Sequence, residues 1–509
     1  MNFSAKDLLI LAAITVLILF LYHRIPGTYF CGFDDFVEIH RAAFLETQQP
    51  IRILTDTHFK SHKYRPGSHG LNFLTYRLSN GNPVVFRLRN IACHLINIVL
   101  LYGIGLLLFK RRLITGVAAL LFALHPLVNQ PVVIASFTIP AAHVAFLFSL
   151  FSFLYSVERK RESVAWLCVS LFSGWIGILI YESSISVFPL MFLYLLIRFI
   201  TKREKPSLRF LLVWVTGTTV FIGSNFVMRY FFVTVSAQHA LSNVKTMLIA
   251  VVMYTVGLLS PVDSVLANQW FGTPLPGEIH LDSISKIWWT LILGGVFAVI
   301  GGSVLLRRPI MERLKASEQA NILFVLLAIV LSLLPLIVLT PKPSETYAYL
   351  GVAFFALLFS AVLEALLRPS LGGRRLIVYA IVVGALTISF SCATWVRNAR
   401  VVDCGATAQR ILTGLRNERL KGGVWFVNVA YALGEPRSRQ YGIYGWRGLD
   451  TIGESEMEHA VQWINNNESL AARVIDSQLR GGECAGSHDL CFWIHDDGSV
   501  EAVNQSITK

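Results

Sequence analysis

Long apolar runs separated by short polar loops make up the first 396 residues of the chain. A helix takes roughly 20 apolar residues to cross the hydrocarbon core of a bilayer. We interpret eleven runs as crossings: 8–22, 91–109, 113–133, 139–157, 164–180, 183–200, 210–233, 287–306, 322–339, 350–367 and 376–395. A further run, 247–259, is shorter and ends at Ser260-Pro261, which favours a re-entrant or interfacial helix.

The tail from residue 397 onwards has a different pattern. Helical periodicity appears near 407–419 and 454–464, and strand-like runs lie at 424–429 and 490–494. The second strand precedes Asp496-Asp497-Gly498, which is typical of a hairpin turn. We therefore predict a mainly α, polytopic transmembrane domain over 1–396, followed by a small soluble α/β domain over 397–509.

Charge in the loops fixes the orientation of these spans. Lys6 precedes the first run and no small-residue cleavage site follows it, so we interpret that run as an uncleaved signal anchor. Cytoplasmic loops carry the excess of Lys and Arg. The amino terminus is then inside, while the first loop (24–89), the loop 341–349 and the tail lie on the other side. Basic clusters recur at every second loop, as Lys110-Arg111-Arg112, Glu158-Arg159-Lys160-Arg161, Lys202-Arg203-Glu204-Lys205, Arg307-Arg308 and Arg374-Arg375.

Composition excludes a soluble protein. The chain of 509 residues is 54% hydrophobic and 15% charged, with a mean hydropathy of +0.58. Its net charge of +13 lies in the short loops, so it reports topology and predicts no nucleic-acid partner. The seven cysteines show no zinc-type spacing. Cys484 with Cys491 is a candidate disulfide in an oxidising compartment, and Cys31 with Cys404 is a weaker second pair.

The sharpest chemical feature is Asp34-Asp35 in the first loop, directly after a span. Carboxylates beside apolar surface are partly desolvated, which raises their basicity. Such a group can take a proton from an acceptor hydroxyl as it attacks a sugar anomeric carbon. The alternative is that they cap a helix over 36–45, because Asp is a favoured N-cap residue. The residues alone leave both interpretations open.

A second polar set lies along the second span, where Arg87, Asn90, His94 and Asn97 recur at three- and four-residue steps. On a helix they share one face. Polar groups inside a membrane segment usually face a protein interior or a wet cavity. Helix–helix hydrogen bonding is the alternative, and we favour it for Asn97.

Further polar residues are predicted on the same membrane face. An Arg fork or a Lys there suits a lipid phosphate, whereas an interfacial aromatic belt is the alternative for the tyrosines. The candidates for binding substrate are Arg65 and His69 in the first loop, Arg87, Asn90 and His94 of the second span, His125 before Pro126, Glu182 after Tyr181, and Lys342, Glu345 and Tyr347 before the tenth span.

Several of these residues form short motifs in a characteristic order. They resemble GT-C superfamily glycosyltransferases, most closely the membrane part of the transmembrane and tetratricopeptide-repeat O-mannosyltransferases and their bacterial relatives. The matching pieces are Phe33-Asp34-Asp35, Tyr64-Arg65-Pro66, Asn82-Pro83, Phe86-Arg87-Leu88 with Asn90, His94 and Asn97, Ala123-Leu124-His125-Pro126, Glu182-Ser183, and Glu345 with Tyr347-Ala348-Tyr349-Leu350.

The resemblance implies a GT-C membrane fold, a polyprenyl-phosphate-linked sugar as donor, and an Asp of the first outer loop, here Asp34 or Asp35, as base. Two positions depart from the pattern. Gln130 stands where relatives often have Glu, and Thr346 where they often have Arg. No tetratricopeptide repeats follow the membrane part, so the acceptor is not implied.

We therefore expect an inverting glycosyl transfer to an acceptor hydroxyl of a protein or glycan at the outer membrane face. No cofactor is predicted, although a divalent cation requirement is left open. A flippase of lipid-linked glycans is the competing class, and it predicts paired structural halves that the sequence does not show. A glycan ligase or polymerase is a sister chemistry. Membrane lipids are expected partners, and the absence of a retention signal favours a bacterial inner membrane.

Overall fold

The structure of the chain, a computed structural model, describes residues 3–31, 34–55, 64–158, 163–202, 206–232, 244–259, 316–339, 345–367, 373–417, 424–427, 457–467, 470, 472–475, 490–494 and 500–502. Its helices are α1 Ala5–Leu21, α2 Asp35–His40, α3 Glu46–Gln48, α4 Arg52–Thr55, α5 Pro66–Ser79, α6 Pro83–Phe109, α7 Arg112–Leu124, α8 Asn129–Val133, α9 Ile139–Glu158, α10 Val164–Ile180, α11 Val187–Lys202, α12 Leu208–Phe232, α13 Val244–Leu259, α14 Ala316–Leu339, α15 Glu345–Leu367, α16 Arg374–Asn417 and α17 Met457–Ile464.

The protein is mostly helical and is an integral membrane protein. Within the described ranges, seven helices are long and apolar enough to cross a membrane, or eight if one bent pair counts as a single span. The predicted run 287–306 lies outside the described residues, so the count of eleven stays a prediction. Helix α13 has 16 residues, a length that suits the predicted short helix.

The run 113–133, predicted as one span, is bent at Pro126. Helix α7 ends at Leu124, and the turn Pro126–Val128 and helix α8 continue at an angle of 57°. Proline lacks an N–H and its ring clashes with the preceding turn, so a helix cannot run straight through Pro126. His125 Nδ1 accepts a hydrogen bond from the Leu127 N–H at 3.3 Å, which caps the new turn.

Local sequence explains where α6 begins and ends. Asn82 is its N-cap, with Oδ1 accepting from the Val84 N–H at 3.0 Å, and Pro83 occupies the first turn. The helix stops at Lys110, which has a φ of 57°. Helices α9 and α10 pack through small residues, as is common between membrane helices. Ser149 and Ser170 each donate to the other's carbonyl at 2.7 Å.

A single helix crosses the predicted boundary at residue 397, where the sequence predicted one helix on each side. Helix α16 has 44 residues and passes from the last apolar run into the tail without a break. Strands β1 Val424–Val427, β2 Ala472–Ile475, β3 Leu490–Ile494 and β4 Val500–Ala502 form one sheet in the order β2-β1-β3-β4. The β1 pairings are parallel, and β3 pairs antiparallel with β4.

A separate α/β domain in the tail stays a prediction, because most of residues 418–509 lie outside the described ranges. The turn Asp496-Asp497-Gly498 also lies outside them. Cys31 and Cys404 are not joined by a disulfide. Cys484 of the other candidate pair lies outside the described residues.

Candidate active site

The first loop places its carboxylate pair at the start of α2. Asp34 is the N-cap residue and Asp35 the first helical residue. Within the part of the chain that the structure describes, the Asp34 side chain makes no capping hydrogen bond to this helix, and the residue is half-buried. The capping alternative therefore does not account for Asp34. Asp34 is thus partly exposed at the point where the first loop enters α2.

Asp35, in contrast, is fully buried and holds the backbone of two segments together. Its Oδ1 accepts from the Ser136 N–H at 2.7 Å, and its Oδ2 from the Cys31 N–H at 3.2 Å. Burial raises the pKa of the Asp35 carboxyl above its ordinary value, while Arg87 and the N–H donors oppose that shift. The two neighbouring carboxylates thus have different environments.

Arg87 lies fully buried beneath this loop. Its Nε donates to the Thr28 carbonyl at 3.1 Å and its Nη2 to the Tyr29 carbonyl at 2.7 Å. Nη1 donates to the Val133 carbonyl, and Nη2 also contacts Cys31 Sγ at 3.7 Å. All three nitrogens of the guanidinium are bonded to the protein itself. The predicted phosphate contact of Arg87 is untested, and this geometry gives the residue a structural position.

The segment after α8, residues 134–138, is held by several polar side chains that form a frame. Arg89 Nη2 donates to the carbonyls of Ala135 and Phe137 at 2.9 and 3.1 Å. Asn90 Nδ2 donates to the Ile134 carbonyl at 2.7 Å. Asn72 Nδ2 bridges the Ser136 carbonyl and Glu38 Oε2, both at 3.0 Å, while its Oδ1 accepts from Arg89 at 2.8 Å.

Arg89, Asn72 and Glu38 were not among the predicted site residues. Arg89 follows Arg87 by two positions, so it falls off the helical face that carries Arg87, Asn90 and His94. A second arginine at the membrane boundary was the one signal that pointed to it. Glu38 follows Asp34 by one helical turn, but nothing in the sequence pairs it with Asn72.

Arg65 and Glu182 form a bidentate ion pair at the edge of the site. Arg65 Nε lies 2.6 Å from Oε2 and Nη2 lies 2.9 Å from Oε1. The guanidinium carbon stands 4.1 Å from the centre of the Tyr181 ring, a cation–π arrangement. Within the described part of the chain, Arg65 Nη1 has no hydrogen-bond partner. The Glu182 side chain is 34% exposed, so this pair lies at an opening.

Gly67 brings these two residues together. A Cβ at Gly67 would stand 3.0 Å from both the Ile180 nitrogen and the Leu179 carbonyl carbon. The start of α5 therefore packs directly on the end of α10, backbone to backbone. A larger residue would push Arg65 away from Glu182.

His94 and Asn97 lie deeper and connect helices. His94 Nδ1 lies 2.7 Å from Tyr349 Oη, and Asn97 Nδ2 donates to the same hydroxyl at 3.1 Å and to the Pro140 carbonyl at 2.8 Å. The His143 ring stacks on Tyr349 with centroids 5.0 Å apart. These contacts join α6, α9 and α15, the helix–helix arrangement favoured for Asn97.

The remaining predicted residues have varied positions. His69 is fully buried in α5, one turn after Arg65, and His125 is buried at the bend between α7 and α8. The Tyr347 ring lies 6.3 Å from that of Tyr181. Lys342 lies outside the described residues, and Glu345 begins α15 without a described side chain. Within the described ranges, no group of three or more His, Cys, Asp or Glu side chains is arranged to hold a metal ion.

The two departures from the family pattern contact each other. Thr346 Oγ1 donates to Gln130 Oε1 at 2.9 Å, and both residues are buried. These two positions therefore form a neutral hydrogen bond between α8 and α15.

Solved structures establish the class of fold. The chain resembles the archaeal oligosaccharyltransferase AglB from Archaeoglobus fulgidus, solved in complex with an inhibitory peptide and a dolichol-phosphate. The TM-score is 0.53 at 12% identity, over 92% of this chain and 64% of that one. ArnT from Cupriavidus metallidurans bound to undecaprenyl phosphate gives a TM-score of 0.50 at 12% identity, over 97% and 94%. The chain therefore has a GT-C type membrane fold.

Sequence comparisons indicate the nearer relationship. The model of the dolichyl-phosphate-mannose-protein mannosyltransferase family matches residues 71–225. Protein O-mannosyl-transferase TMTC1 of Homo sapiens is 33% identical over 162 residues, which is 29% of this chain and 18% of that protein. The Mus musculus protein matches equally over 17% of its length. The match thus spans under a fifth of these relatives, and it confirms the predicted resemblance to the O-mannosyltransferases.

Proposed function

We propose that the chain is a glycosyltransferase that moves a sugar from a polyprenyl-phosphate-linked donor to an acceptor hydroxyl on the non-cytoplasmic side of the membrane. The observation that carries this proposal is the difference between the two carboxylates: Asp35 is buried and bonded to backbone, while Asp34 is only half-buried. The family match and the ligands named for AglB and ArnT support the donor class.

In the proposed step, the Asp34 carboxylate accepts the proton of the acceptor hydroxyl. At the same time the oxygen of that hydroxyl attacks the anomeric carbon of the sugar. The bond from that carbon to the lipid phosphate breaks, the phosphate leaves with the electron pair, and the configuration inverts. Asp35 fixes the position of Asp34 through Ser136 and Cys31. Arg65 offers Nη1 to the charge that grows on the leaving phosphate. Glu182 and Tyr181 orient the fork.

Separate Asp34→Asn and Asp35→Asn variants test the base. We expect Asp34→Asn to lose roughly 10²–10⁴-fold in sugar transfer from a lipid-phosphate donor while its thermal unfolding stays at the wild-type temperature. Asp35→Asn loses activity together with stability, because an amide replaces a carboxylate that accepts two N–H bonds. Asp403→Asn, an exposed change on α16, is the matched control. Full turnover in both first-loop variants would contradict the mechanism.

The size of the transferred group and the cofactor requirement are tested in the same assay. The fold is shared with an oligosaccharyltransferase, so mass spectrometry of the product distinguishes single-sugar from whole-glycan transfer. We propose no cofactor, and equal turnover with and without EDTA is the expected result. We retain a bacterial inner membrane as the proposed location, with the tail in the periplasm.

A further inference from the structure

The tail helix α17 packs against the first loop directly beside α2. The Trp463 ring lies 5.7 Å from that of Phe30, 6.3 Å from Phe36 and 6.2 Å from Tyr29, centre to centre. The His40 and His459 rings are 4.7 Å apart. Helix α17 is also anchored in the core, since Ala460 and Val461 are fully buried.

Helix α16 contacts the same loop at Thr28 and Tyr29. A Cβ at Gly405 would lie 2.4 Å from Thr28 Cγ2, 2.9 Å from the Tyr29 oxygen and 3.1 Å from its nitrogen. Glycine lowers helix stability, so its presence within α16 needs a packing reason. That reason is the backbone of the first loop, which allows no larger residue at this position.

The loop is thereby fixed from two sides. On one side, Arg87 of α6 donates hydrogen bonds to the carbonyls of Thr28 and Tyr29. On the other side, Gly405 packs against Thr28 and Tyr29, and Trp463 packs against Tyr29. Asp34 follows this stretch within a few residues, so its position depends on both.

We propose that the end of α16 together with α17, here called the brace, positions the Asp34–Asp35 pair, with Gly405 and Trp463 as positioning residues. The proposal rests on the proposed function for its effect on activity. It gives the tail a role that is independent of acceptor binding.

Hydrogen exchange and kinetics on the full-length protein test the brace. We expect Gly405→Ala and Trp463→Ala to increase amide exchange in 35–48 and to lower kcat roughly 10- to 100-fold, with KM for the lipid-linked donor little changed. Trp463→Phe restores most of the kcat, because it keeps an aromatic ring against Phe30 and Phe36. Gly384→Ala, on the same helix with no atom within 4 Å of the added Cβ, leaves both measurements unchanged.

The outcomes separate the brace from the proposed function. Unchanged exchange in folded Gly405→Ala and Trp463→Ala protein overturns the brace, as does increased exchange with wild-type kcat. A wild-type protein that transfers no sugar overturns the proposed function instead, while the exchange data still decide whether the brace holds the loop. If Gly405→Ala does not fold, the Trp463 pair of variants supplies the same comparison.

Discussion

Arg87 and Arg65 are both buried, but their guanidinium groups have different partners. Arg87 is fully buried, and its guanidinium is bonded to carbonyls from three residues. Arg65 is bonded to Glu182 at an opening. Among the described residues, its Nη1 has no hydrogen-bond partner. The comparison shows that the same residue type has two roles here. Arg87 holds backbone carbonyls in the interior, whereas Arg65 pairs with a partly exposed carboxylate. The proposed chemistry is placed beside Arg65 and Glu182, where the Glu182 side chain is 34% exposed.

The largest effect is expected at Arg87. Arg87→Ala leaves the carbonyls of Thr28, Tyr29 and Val133 without their donor, and unpaired buried groups cost about 3–5 kcal/mol in total. We expect a large drop in the unfolding temperature in detergent and low expression. A stable Arg87→Ala protein that loses only donor affinity would mean that the comparison is wrong and that Arg87 is the phosphate ligand.

A double variant probes the neutral pair between α8 and α15. Thr346→Arg alone buries a charge beside Gln130 and should cost about 3 kcal/mol or more. Adding Gln130→Glu supplies the partner, so the double variant should recover most of that loss in thermal unfolding. If the loss in the double variant equals the sum of the losses in Thr346→Arg and Gln130→Glu, the two positions do not form a functional unit.

At Arg65 the expected effect is smaller and kinetic. Arg65→Lys keeps the positive charge but loses the planar fork, so we expect KM for the lipid-linked donor to rise roughly tenfold, equivalent to about 1.4 kcal/mol. The unfolding temperature should change little. Glu182→Gln is the companion variant, and a similar rise in KM in both variants would locate the defect in the orientation of the Arg65 fork.

The smallest effect concerns pH at the contact between α2 and α17. Burial beside His459 lowers the pKa of His40 to about 4, while Gln462 opposes the shift. The unfolded chain therefore takes up the proton first, and stability falls as pH drops from about 6.5 towards 4. We expect a loss of about 1 kcal/mol by about pH 5.8. His40→Phe keeps the ring contact and should flatten this part of the pH profile of the unfolding temperature.

Sequence patterns predicted the apolar helices that the structure describes and the polar residues proposed for the site, because hydropathy, loop charge and motif order are local signals. They could not say which partner a polar side chain would find. The carbonyls that Arg87 binds lie 59 and 58 residues earlier in the chain, and no local pattern encodes that distance. For the same reason Arg89 and Asn72 were missed.

Element boundaries failed where tertiary packing decides them. Pro126 marked a break that the uninterrupted apolar run concealed, since hydropathy averages over the bend. The predicted boundary at residue 397 followed the change in composition. Helical backbone hydrogen bonds do not depend on that change, so α16 continues through it.

The length of α16 has a geometric consequence. Its 44 residues span about 66 Å at 1.5 Å per residue, more than twice the roughly 30 Å thickness of the hydrocarbon core. The helix is therefore long enough to reach well beyond the bilayer, and its far part carries Gly405 to the contact with Thr28 and Tyr29.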